Sequence, residues 1–77
     1  MARRKSLSLE KSFGLRLRAK RDVLGVSQEE LADRCGLHPT YVSQLERGLK
    51  SPSLNTLYAL ASALKVDVAD LVRDLGH

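Results

Sequence analysis

Thr40, Ser43, Gln44 and Arg47 recur at i, i+3, i+4 and i+7, the spacing of one face of a helix. Three of the four are neutral hydrogen-bonding side chains and one is charged. An ordinary solvated face would carry more Lys and Glu. A stripe of this kind matches base edges in a major groove. The Gln amide pairs bidentately with adenine, the Arg fork with guanine, and Ser or Thr with either. Pro39, just ahead of the stripe, would sit close to the groove floor. Cys35 and His38 also stand at i and i+3. Two ligands are too few for a metal site. A Cys–His nucleophile would need a third group and a pocket. Neither metal, cofactor nor catalysis is expected.

The elements that must position the stripe can be read from local signals. Ser27 accepts well from an amide three residues on, and Glu30 can reach back, which makes a capping box. Val26 and Leu31 stand at staple spacing around it. Gly36 ends that helix, since glycine takes the left-handed conformation without penalty. His38 is an N-cap for the next helix, and Pro39 suits its first position. Leu37 and Val42 repeat the staple, and Gly48 closes the helix. Helix, short Gly-containing turn, helix is the DNA-binding helix-turn-helix pattern. The first helix of the chain is predicted over Leu9–Leu24, capped by Ser8 and followed by Gly25. Phe13, Leu17 and Leu24 mark its core stripe, and Arg16 and Arg18 are read as solvated or facing phosphate. The helix of the pair that precedes the turn runs Gln28–Cys35, with Leu31, Ala32 and Cys35 inward. Ser53 caps a helix over Leu54–Leu64, with Leu57, Leu60, Ala61 and Leu64 buried. Asp67 caps a last one over Val68–Leu75, with Val66 and Leu71 as its staple.

The segments SQEELA, GLHPTYVSQLERG and SPSLNTLYALASALKV, in this order, resemble the Cro/phage-repressor type of helix-turn-helix regulator, the xenobiotic-response-element family. The likeness runs from about Phe13 to Leu75. The small size also resembles that of controller proteins of restriction–modification systems. The resemblance implies an all-α, five-helix, lambda-repressor-like domain whose second and third helices form the helix-turn-helix. It implies base reading by Pro39, Thr40, Ser43 and Gln44. Gln28, Tyr41, Arg47 and Lys50 would hold the DNA backbone, with Asn55 and Thr56 as further candidates. Tyr41 either does this or packs on the second helix. Arg21 lies on the buried stripe four residues after Leu17, where an unpaired charge is costly. Glu46, one turn beyond Val42, is its candidate partner, and family members form an ion pair at these places. Lys20 departs from the family in standing where an apolar residue is common.

Composition bounds the rest. A chain of 77 residues is one domain and buries only ~60% of its unfolded surface. One cysteine excludes an internal disulfide and fits a reducing compartment. No apolar run approaches the ~18–20 residues of a spanning helix, and MARRKSLSLEK lacks the apolar stretch of a secretory signal. A cytoplasmic location is expected. Residues 1–50 hold 11 Lys/Arg against 6 Asp/Glu, and residues 51–77 hold 2 against 3. The positive half therefore contains the helix-turn-helix, where phosphate contacts would be needed. Residues 1–7 are read as a flexible basic tail, either solvated or reaching a minor groove. Residues 8–77 form the domain.

Val68, Leu71, Val72 and Leu75 are more apolar positions than one face of the last helix needs. Either the whole helix packs inward or part of it meets a second subunit. Relatives bind as symmetric dimers, so Val68, Val72 and Leu75 are expected at a homodimer interface. The expected partners are double-stranded DNA and a second copy, without membrane or small-molecule effector. The main rival is a protein-interaction module such as an antitoxin. A nucleic-acid chaperone without sequence preference would carry a more basic, less neutral stripe.

Overall fold

The computed structural model describes residues 7–75, and the tail expected at residues 1–7 lies outside them but for Leu7. Five helices follow one another: α1 Leu9–Leu24, α2 Gln28–Cys35, α3 Pro39–Glu46, α4 Leu54–Leu64 and α5 Val68–Val72. The caps set the starts. Ser8, Ser27 and Ser53 each accept from the amide three residues on, at 3.1, 3.0 and 3.0 Å. His38 Nδ1 accepts from the Thr40 amide at 3.1 Å, and Pro39 occupies the first turn of α3. The amide of Asp67 donates to Asp70 Oδ2 at 3.1 Å. Each bond satisfies a donor that a helix start would otherwise leave free. Glu30 leans toward Arg34, 3.5 Å away, instead of closing a box on Ser27.

All five helices contribute to one core. Leu17, Leu31, Val42, Leu45, Leu60 and Leu71 are fully buried, joined by Phe13, Val26, Ala32, Ala61 and Leu64. Burying side chains of this size contributes ~1.5–3 kcal/mol each. The backbones of α1 and α3 come close at Gly14. A Cβ there would lie on the backbone oxygens of Leu45 and Glu46, 2.5 Å from the former. Only glycine lets the last turn of α3 approach α1 this far.

Three further expectations are corrected. Leu24 is 36% exposed instead of buried, because Val26, just behind the Gly25 turn, takes the inward place. Helix α5 ends at Val72, not Leu75. Arg73 turns extended (φ −64, ψ 128) and Asp74 takes a positive φ of 59. Arg16 is the physical reason, and it is not free in solvent. Its Nη1 donates to the carbonyl of Asp70 at 3.1 Å and its Nη2 to that of Arg73 at 2.9 Å. A guanidinium from α1 thus satisfies carbonyls at the end of α5, where the backbone leaves the helix.

Candidate nucleic-acid interface

Gly36, at φ 70, ends α2, and its amide and that of Leu37 fold back on the carbonyls of α2. This is the left-handed stop that turns the chain within two residues. Helix α3 then leaves with Val42 and Leu45 buried, and Tyr41 half-buried against the core. The remaining face of α3 is open. Thr40 is exposed, and Pro39, Ser43 and Gln44 are half-buried. Arg47 and Lys50 are exposed beyond the end of the helix.

The start of α2 and the start of α3 share one open depression. It is lined by Ser27, Gln28 and Glu29 on one side and Pro39, Thr40 and Ser43 on the other. Free amides and the macrodipole make a helix start attractive to phosphate. Glu29 was not singled out from the sequence. Its signal is there, an acidic residue in the first turn of a helix, but that position is also the ordinary dipole-complementing one.

Behind the depression lies a buried polar cluster. Arg21 Nε donates to Glu46 Oε2 at 2.6 Å, and Nη2 to Oε1 at 3.0 Å. Its Nη1 donates to the carbonyl of Val26 at 2.9 Å. The two side chains are 12% and 4% exposed. The Glu46 carboxylate bonded to it raises the Arg21 pKa further, against the opposing effect of burial. Gln28 Nε2 completes the cluster, donating to Glu46 Oε1 at 2.9 Å. Gln28, expected at the DNA backbone, is therefore half-buried and bonded within the protein.

The other candidates sit apart. Val68 and Leu75 pack half-buried on the core, while Val72 is 38% exposed. Cys35 Sγ lies 3.5 Å from the carbonyl of Ala59, and burial raises its pKa. Lys20 is half-buried and Asn55 exposed, and the Thr56 hydroxyl accepts from Ser53 at 3.0 Å. Among the described residues no three His, Cys, Asp or Glu side chains gather as a metal site. No described helix is long and apolar enough to cross a membrane.

A family model described as helix-turn-helix matches residues 17–71, which spans every element from the middle of α1 to α5. The chain belongs to the helix-turn-helix family. Its members here are transcriptional regulators of the Cro/phage-repressor type. The control protein C.BamHI of Bacillus amyloliquefaciens is 41% identical over 61 residues, 78% of this chain and 75% of that protein. Two uncharacterised HTH-type regulators of Mycobacterium tuberculosis are 44% identical over 50 residues, 65% of this chain. The match spans only 36% of the length of those two relatives. The restriction–modification controller C.AhdI of Aeromonas hydrophila has the same fold, with a TM-score of 0.78 at 43% identity over 79% of this chain and 92% of that one. The P22 c2 repressor, solved in complex with a synthetic operator, gives 0.75 at 33% identity, over 79% and 92%. The helix-turn-helix assignment and the five-helix phage-repressor fold thus rest on sequence and structure alike.

Proposed function

We propose that this chain is a sequence-specific transcriptional regulator that binds a pseudo-palindromic operator in the cytoplasm as a homodimer, without enzymatic activity. One observation carries the reading: the uncharged hydrogen-bonding face of α3 and the start of α2 border one open depression. Pro39, Thr40 and Ser43, which line it, and Gln44 on the same helix read base edges. Gln28, Arg47 and Lys50 hold the backbone on either side. Tyr41 packs its ring on the core, which leaves its hydroxyl as the part that can meet phosphate. Phosphate contacts position the domain and base contacts specify the site. The P22 c2 repressor, a structural neighbour solved in complex with a synthetic operator, supports operator binding for this chain.

Val72 gives the dimer its contact. It shares an apolar depression with Leu9, Phe13, Leu57 and Leu75. Two copies joined there would present two α3 helices to successive turns of the major groove. The reading is tested by titrating the chain against duplex DNA at increasing salt. The expected log–log slope is several units, roughly −0.9 for each phosphate neutralised. Affinity indifferent to salt between dilute and physiological buffer contradicts it.

A further inference from the structure

We propose that Glu46 is the positioning residue for Gln28, so that the buried ion pair of the core also sets the DNA-backbone contact at the start of α2. The proposal rests on the reading of Gln28 as a backbone contact. It adds what holds that contact in place.

The chemistry fixes the orientation of the amide. A carboxylate only accepts hydrogen bonds, so the atom of Gln28 that faces Glu46 Oε1 at 2.9 Å must be the nitrogen. The nitrogen has two N–H groups and this bond uses one. The second N–H remains for a phosphate oxygen. Glu46 in turn has little freedom. Its carboxylate is 4% exposed and held by two bonds from Arg21, whose third bond reaches the carbonyl of Val26. Arg21 belongs to α1, Gln28 to α2 and Glu46 to α3. The cluster therefore joins the three helices whose mutual placement the interface needs. Glutamine is a long, flexible side chain, and ordering it costs conformational entropy. In this chain that ordering is done in the free protein, so less is lost when DNA arrives.

The experiment uses the full chain, with side-chain amide NMR and DNA titration on the same samples. In the wild type, the Gln28 amide protons should exchange slowly and resonate apart from those of the other glutamine. In Glu46→Gln, which keeps the volume, they should collapse toward the values of a solvated amide. Operator affinity should fall about tenfold in both Gln28→Ala and Glu46→Gln. The double variant should be no weaker than the weaker single one. Circular dichroism at the titration temperature selects conditions where each variant is folded. Gln28→Asn asks the same question without touching the core: it keeps an amide at the helix start but shortens its reach by one methylene. It should bind as weakly as Gln28→Ala. Multiplying losses in the double variant overturn the proposal, as does a Gln28→Asn chain that binds like the wild type. Free-solvent amide signals in the wild type overturn it before any DNA is added. A wild type that binds no duplex removes the DNA reading itself, which is a different failure and visible first.

Discussion

Glu29 is the one acidic side chain in the depression between α2 and α3. It stabilises the start of α2 through the macrodipole, and it repels phosphate from the same place. The two effects pull apart on substitution. Glu29→Gln should bind every duplex more tightly, operator and random alike, while the helix loses a few tenths of a kcal/mol. A filter-binding comparison on both DNAs checks this, and unchanged random-duplex affinity contradicts it. Base-reading residues should behave otherwise, since they act on one sequence. At this scale the sequence is informative where chemistry is local. His38, Pro39 and the Thr40–Ser43–Gln44 stripe are read from spacing alone. Gln28 was read as free because its partner, Glu46, is 18 residues away. No periodicity announces such a bond.

Helices start where a cap says so, and four of the five match their expected bounds within two residues at most. The fifth does not, and the difference is instructive. Its start was legible in Asp67 and in the Val66–Leu71 staple. Its end depends on Arg16, 54 residues back from Asp70, which takes a carbonyl of the last turn. Leu24 was misplaced for a similar reason: periodicity gives the face of a helix but not where the neighbouring helices stop. Gly14 carries a tertiary meaning, the approach of α3 to α1, that a lone glycine in a helical run does not disclose. The Arg21–Glu46 pair stood between these cases. A charge on a buried stripe demanded a partner, and the place of Glu46 one turn beyond Val42, with the resemblance, supplied which one. Glu46→Ala would strand Arg21, at 12% exposure, with only a backbone carbonyl and the exposed Asp22 near it. The expected loss is about 3–5 kcal/mol, toward the lower end because water reaches part of the site. A urea midpoint unchanged from the wild type contradicts a structural role for the pair. The exposed Arg18–Asp22 pair, at 3.9 Å, should show no such effect when broken.

For the whole molecule the question is how two domains would be held on one site. A single domain of this kind reaches only a few base pairs. Of the residues expected at a dimer face, Val68 and Leu75 already pack on the core. Val72 is the member with surface to offer. Val72→Glu should leave the fold intact and shift the chain toward monomer in sedimentation equilibrium. Half-site binding should persist at raised protein concentration while cooperative binding to a full site is lost. A variant that sediments like the wild type places the interface elsewhere. Charge matters here too: the positive half of the chain, residues 1–50, contains both helices of the proposed DNA interface.

The assignment of α3 as the reading surface is tested by selection of bound duplexes from random-sequence DNA, run in parallel with the wild type and Gln44→Ala. The wild type should enrich an inverted repeat with half-site centres about 34 Å apart, one helical turn. Gln44→Ala should enrich the same repeat with preference relaxed at one base pair per half-site, at a cost of roughly 1–3 kcal/mol on the original site. A wild-type pool without a shared sequence, or identical pools from both chains, would contradict the assignment of α3 as the reading surface.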